Sequence, residues 1–270
     1  MAKIGVGIVT CNREDFLIKC VGSIDKSWYD LLIVVNDGDS SLSSFTATSL
    51  EKDGIKLINN KINLGVCKSK NILFKELLEN NCDYIFIVED DMIFKDNAFA
   101  AYVNAYNKTG IHHMMFGYHG PANKGWVSKG KPTPRKIIDY GDFKIALNQG
   151  CVGAVCFYTR ECLEKAGLFD EDFNKNNFEH VEHSYRLAKA GYSTPYWWWA
   201  DIANSLDYIE EQACSEDNSS IRRGDNWIEK IKWSAKLFES KHGYMPAWEN
   251  SVPDTPLSEV INLLKKLKPV

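Results

Sequence analysis

The 270-residue chain holds no run of 18 or more apolar residues, so no segment of it reads as a membrane-spanning helix. Its first residues enter an apolar strand directly, with no basic segment ahead of a hydrophobic stretch. That excludes an obvious secretory leader, and a cytosolic protein is expected. The 8 cysteines include no C-x-x-C pair and no zinc-ligand spacing. Most lie within apolar stretches and are expected to be reduced core residues. Basic charge is not in excess: 32 Lys and Arg face 36 Asp and Glu, for a formal net charge of -4. This argues against a generally basic nucleic-acid binder but leaves room for a local basic patch. No internal repeat is visible, and no linker separates independent domains. What remains, 44% hydrophobic and 25% charged, is an ordinary globular composition on a chain long enough to bury a large core.

Strand and helix patterns alternate over the first hundred residues. The stretches 4–9, 30–35, 55–58 and 84–88 are short apolar runs of strand length. Between them, Phe16, Leu17, Cys20, Val21 and Ile24 mark one helix face, and Val66, Leu73, Phe74, Leu77 and Leu78 another. Strands separated by helices at this pitch predict βαβ units and a mixed, mainly parallel sheet flanked by helices. Asp96 reads as the N-cap of a helix bearing Phe99, Tyr102, Val103 and Tyr106. The stretch from Gly117 to Gly141 reads as a long loop with a hairpin. A strand over 152–158, helices over 159–166 and up to Gly191, a strand over 195–199 and two terminal helices complete the pattern. The expected organisation is a core over 1–210, its first half ending near 95, and a helical extension over 211–270.

Sheets of this type bind ligands beyond the carboxyl ends of their strands. Those ends read Thr10-Cys11-Asn12-Arg13, Asn36-Asp37-Gly38-Asp39-Ser40, Asn59 through Gly65, and Glu89-Asp90-Asp91. Three acids at the mouth of a buried strand repel one another, by about 4 kcal/mol for two charges about 4 Å apart at a protein surface, so a cation is expected there. An acidic cluster suits Mg2+ or Mn2+. Lys68 and Lys70 lie close enough along the chain to face a phosphate. Together these groups suit a nucleoside diphosphate bridged by a divalent metal.

On these stretches the chain resembles the family 2 glycosyltransferases with the GT-A fold. VGIVTCNR is similar to that family's opening strand and T-x-N-R turn, and LLIVVNDGDS to its "VVNDGS" segment. NLGVCKSKN resembles "N-x-G-x-x-x-A-R-N", and IVEDDMIF the "D-x-D" strand. KAGLFDEDF with EHVEHSYRL resembles the "G-x-F-D-E" and "E-D-x-x-x-x-x-R" signature. Acidic triplets and NDG turns are common singly; the weight lies in the order and spacing of all of them across residues 4–195.

The resemblance implies a soluble, metal-dependent enzyme that moves a sugar from a nucleotide-sugar donor, a UDP-sugar first among them, to a hydroxyl of a glycan or glycolipid acceptor. It places Thr10 and Arg13 in the nucleotide site, Asn36 or Asp37 against the base, and Asn63, Gly65 and Lys70 near ribose and diphosphate. Glu89 and Asp90 would face the donor, and Asp91 would bind Mn2+ or Mg2+. The family's general base lies in its E-D pair, which here reads Glu179-His180; either residue could act, and the altered pair also admits a nucleotide-sugar-binding protein without transferase activity. The late histidine that some relatives use on the metal is missing after Trp199, and His242 is the candidate replacement. In this fold the segment after the metal motif commonly faces the acceptor. Here Lys124, Lys129, Lys131, Arg135, Lys136 and Lys144 outnumber Asp139 and Asp142, with Trp126 among them. Trp126, Lys129, Lys131 and Arg135 are therefore acceptor candidates, as is Trp198 if its run is not core. An anionic acceptor follows from this reading: a phosphorylated glycan, or, as the alternative, hydroxymethylated bases in DNA.

Overall fold

The structure, a computed structural model, describes residues 2–119, 123, 133–174, 178–212, 226–246 and 252–267. Four parallel strands, β1 (Ile4–Thr10), β2 (Leu31–Asn36), β3 (Lys56–Asn59) and β4 (Tyr84–Glu89), form one side of the main sheet. The helices α1 (Glu14–Gly22), α2 (Ser44–Lys52) and α3 (Val66–Glu79) cross between them. The sheet is completed by β9 (Val155–Thr159), antiparallel to β4, and by β6 (His113–Met115), giving the order β3-β2-β1-β4-β9-β6. The registers Thr10↔Asn36, Asn36↔Asn59 and Val9↔Glu89 bring the polar strand ends side by side.

Period-two alternation sends successive residues of these strands to opposite faces. Val6, Ile8, Val34, Phe86 and Val88 enter one apolar cluster, with Leu17 of α1 and Phe99 of α4 (Ala98–Thr109). Ile33, Val35, Ile85 and Ile87 enter the other, with Leu73, Phe74 and Leu77 of α3. The glycines of IGVGIVT belong to this second face. A Cβ on Gly7 would meet Leu73 at 3.0 Å, and one on Gly5 would meet Cys82 Sγ at 2.6 Å, so α3 lies directly against β1. Cys20, Cys67, Cys82, Cys156 and Cys162 are buried free thiols, as expected.

A second sheet joins β7 (Lys136–Asp139), β8 (Lys144–Asn148) and β10 (Trp199–Ile202), and β11 (Ile209–Glu211) pairs with β5 (Met92–Phe94). The helices α5 (Arg160–Ala166) and α6 (Glu179–Lys189) follow β9, and α7 (Trp227–His242) and α8 (Leu257–Lys266) lie beyond residue 211. Val260 and Leu264 of α8 join the cluster of Phe99 and Tyr102.

Three local expectations change. The residue before α4 is Asn97, in the left-handed region at φ 66, and its side chain makes no cap bond; Asp96 is one position too early. The 195–199 run is not a strand: Trp198 N–H turns back to Pro195 O at 3.0 Å, Trp197 has φ 70, and β10 begins only at Trp199. Helix α2 was unanticipated, because only Thr46 and Leu50 are buried along it. Among the described residues no helix is long and apolar enough to cross a membrane.

Candidate active site

Among the described residues, Arg13 is the cation that meets Asp90 and Asp91. It reaches Asp91 Oδ2 at 3.1 Å through Nη1 and makes a closer contact to Asp90 Oδ1 through Nη2. Thr10 Oγ1 donates to Asp90 Oδ2 at 2.6 Å, so the end of β1 is tied to the end of β4. Burial pushes the pKa of Asp90 up to about 7 despite Arg13 and Thr10. Burial, then the charge of Glu89, also raises that of Asp91, against Arg13 and His119. Asp91 Oδ1 is buried and, among the described residues, has no hydrogen-bond partner. An orphaned buried carboxylate oxygen is costly to leave unpaired, and it fits a hard divalent cation.

Lys70 links this turn to the candidate base. It is fully buried, with Nζ at 3.1 Å from Glu89 Oε1, 3.2 Å from Gly153 O and 3.9 Å from Glu179 Oε1. Burial disfavours its charge, but Glu89 and Glu179 outweigh that and raise its pKa. Glu179 opens α6 and lies 3.2 Å from Nδ1 of His180. Burial pushes the pKa of Glu179 up, yet His180 and then Lys70 act more strongly and leave it at about 2. A Cβ on Gly153 would meet the His180 ring at 2.9 Å, so that glycine admits the imidazole.

Asn36 and Asp37 face inward. Asp37 accepts from Asn60 Nδ2 at 2.7 Å, Leu64 N at 2.8 Å and Gly65 N at 2.9 Å. Asn36 donates to Ser40 O and Asn59 Oδ1 and accepts from Gly38 N. Both are buried and shape the wall of the crevice. Asn63 and Gly65 line a cavity of about 590 Å³ with Asn174 and Trp233, beside the loop that Asp37 holds.

Of the remaining expected residues, His242, Arg135 and Trp198 make their described contacts with other parts of the chain. His242 Nε2 lies 3.2 Å from Glu182 Oε1, and its ring packs on Tyr185 and Phe238. Arg135 grips Asp254 at 2.9 and 2.6 Å, and its guanidinium lies 3.8 Å over the Trp198 ring. Trp198 is 6% exposed and donates to Thr255 O at 2.8 Å. Both side chains hold the segment ahead of α8 through Asp254 and Thr255. Trp126, Lys129 and Lys131 lie outside the described residues.

Residues that the sequence did not single out approach the acidic turn instead. Gln212 N donates to Asp91 O at 2.8 Å, and its Nε2 to Asp90 O at 3.2 Å. Glu211 Oε1 lies 3.0 Å from His119 Nδ1, in a close but poorly aligned pair. Burial opposes a charge on His119, but Glu211, Glu89 and Asp91 outweigh it and hold its pKa above the usual histidine value. Among the described residues no three His, Cys, Asp or Glu side chains are gathered into a ready-made metal site.

A family model described as glycosyl transferase family 2 matches residues 5–166. An uncharacterized glycosyltransferase of Acanthamoeba polyphaga mimivirus is 26% identical over 227 residues, covering 81% of this chain and 85% of the viral protein. Among solved structures, the GalNAc-T7 complex with UDP, GalNAc and Mn2+ superposes with a TM-score of 0.59 at 14% identity, over 99% of this chain and 54% of that one. S. aureus TarS 1-349 in complex with UDP gives 0.55 at 12% identity, over 99% and 81%. Against the longer TarS structure the chain spans 42% of the length.

Proposed function

The chain belongs to glycosyl transferase family 2 and has the GT-A fold, and from that premise we propose that it moves a sugar from a UDP-sugar to a hydroxyl of a glycan or glycolipid, with Mn2+ or Mg2+ as cofactor. The observation that carries this reading is the pairing of two features on one crevice. Asp91 keeps an unpartnered buried oxygen, and a Glu179-His180 pair lies across Lys70 from Glu89. The bound molecules of the structural relatives support the donor class: UDP and UDP-GlcNAc with TarS, and UDP and Mn2+ with GalNAc-T7.

Asp91 would hold the cation, which would neutralise the negative charge growing on the diphosphate as the sugar–phosphate bond breaks. His180 takes the proton from the acceptor hydroxyl as its oxygen attacks the anomeric carbon in line, which inverts that centre. Glu179 accepts from Nδ1 and leaves Nε2 as the proton acceptor. Lys70 keeps Glu89 and Glu179 ionised at a fixed spacing.

Thermal unfolding with a panel of UDP-sugars, with and without Mn2+, tests the donor and the metal together. Binding at a hundred times Kd adds about 2.7 kcal/mol to the folded state. The expected shift requires Mn2+ and is lost in Asp91→Ala. A shift that no UDP-sugar produces in Mn2+, in a protein that unfolds cooperatively, would refute the reading.

A further inference from the structure

We infer that His119 supplies a nitrogen ligand to the cation held by Asp91, with Glu211 orienting its ring; this rests on the metal-dependent reading above. The geometry comes from two elements that converge on the acidic turn. Strand β11 pairs with β5 so that Glu211 stands opposite Met92, and the next residue, Gln212, donates its N–H to Asp91 O at 2.8 Å. Glu211 is thereby fixed beside the turn, and its Oε1 lies 3.0 Å from Nδ1 of His119. On the other side, His119 ends a short turn, Gly117–His119, that is pinned by buried groups. Gly117 N donates to Asp201 Oδ2 at 2.9 Å, and Gly117 O accepts from Asn123 Nδ2 at 2.7 Å. A Cβ on Gly117 would meet Asn148 Nδ2 at 2.6 Å, so the turn cannot drift toward β8.

A metal-binding histidine usually gives its second ring nitrogen to a carboxylate, which fixes the tautomer and aims the free lone pair. Glu211 on Nδ1 is such a carboxylate. Among the described residues Nε2 of His119 makes no hydrogen bond, and Gln212, the residue after its partner Glu211, donates to Asp91 O at 2.8 Å. The unpartnered Oδ1 of Asp91 completes the set. One carboxylate and one imidazole are a small protein share, as expected for a cation that takes its other ligands from a diphosphate.

The test is Mn2+ binding to the full chain in the presence of UDP, read by titration and by pulsed electron paramagnetic resonance for coupling to nitrogen-14. The wild type should show an imidazole nitrogen on manganese. His119→Ala should lose that coupling and weaken Mn2+ by about tenfold or more, and Glu211→Gln should weaken it about 10- to 100-fold with the coupling altered. Circular dichroism and the unfolding midpoint identify any variant that fails to fold, and Glu211→Gln then carries the test alone. Nitrogen coupling and affinity unchanged in both variants, with binding lost in Asp91→Ala, would overturn the role of His119 and leave the metal reading intact. No Mn2+ binding by the wild type with UDP would remove both.

Discussion

On the proposed reading, Glu179 and His180 at the start of α6 take different parts in one acid–base step. Glu179 is held at a pKa of about 2 by His180 and Lys70, which makes it a weak proton acceptor. His180 keeps 23% of its side chain exposed, against 6% for Glu179, so the imidazole is the group an acceptor can reach. His180→Ala should therefore lower kcat by at least about a hundredfold, and Glu179→Gln by less, because the amide oxygen still accepts from Nδ1. A larger loss in Glu179→Gln than in His180→Ala would make the carboxylate the base. Stability separates the two roles further. The folded pKa of Glu179 lies below its ordinary 4.5, so its contribution is present above pH 4.5 and is lost as pH falls toward about 2. The gap corresponds to about 3 kcal/mol. Urea unfolding at pH 5, 4 and 3 should show a steeper loss in the wild type than in Glu179→Gln; equal slopes would mean that the buried carboxylate is not held ionised.

At the scale of elements, the short turn bearing His119 depends on β10. Asp201 is fully buried and accepts from Tyr102 Oη at 2.7 Å, Ser205 Oγ at 2.7 Å and Gly117 N at 2.9 Å. Burial nevertheless pushes its pKa up to about 7. A raised carboxyl pKa stabilises the fold fully below the ordinary 3.8, and that contribution is lost as pH rises through about 7. Asp201→Asn cannot ionise, so its urea midpoint should fall less than that of the wild type between pH 5 and pH 8. Asp201→Ala strands three buried donors and should cost at least about 2 kcal/mol at any pH; a neutral alanine variant would show that the turn needs no pin. This dependence was not legible in the sequence. Strands β1, β2 and β4 were, because each is a buried apolar run ending in polar residues. The pairing of β11 with β5 joins three-residue strands more than a hundred positions apart, and no local periodicity announces it. His119 was masked by its setting among glycine, proline and lysine. The inward turn of Asp37 was hidden for a different reason: an aspartate in an NDG stretch looks the same whether it faces a ligand or three groups of the next loop. Arg13 shows a different case: its partners, Asp90 and Asp91, emerge only when β1 and β4 lie side by side.

For the whole molecule, the region beyond residue 211 is part of the core and of the site's support. Phe238 of α7 is fully buried against Tyr185 of α6, the helix that opens with Glu179 and His180. Val260 and Leu264 of α8 are buried with Phe99, Tyr102 and Ala105. Ahead of α8, Val252 and Asp254 are held by Trp197 Nε1 on Val252 O at 2.8 Å and by the Arg135–Asp254 pair. Gly110, at φ 69, packs so closely that a Cβ there would overlap the carbonyl of Leu267. Burying Phe238, Val260 and Leu264 contributes roughly 1.5–3 kcal/mol each. Together that approaches the whole net stability of a typical domain, about 5–15 kcal/mol. A chain ending at residue 210 should therefore be recovered without a cooperative unfolding transition, and one ending at 246, which lacks α8 but keeps α7, should unfold at a clearly lower temperature than the full chain. The midpoint of the longer truncation carries the argument, because it retains the α6–α7 contact while losing the α8 contact. If the chain ending at 210 unfolded as cooperatively as the full chain and still gained stability from UDP and Mn2+, the terminal helices would be an appendage, and the rigidity of α6 would have to come from the sheet alone.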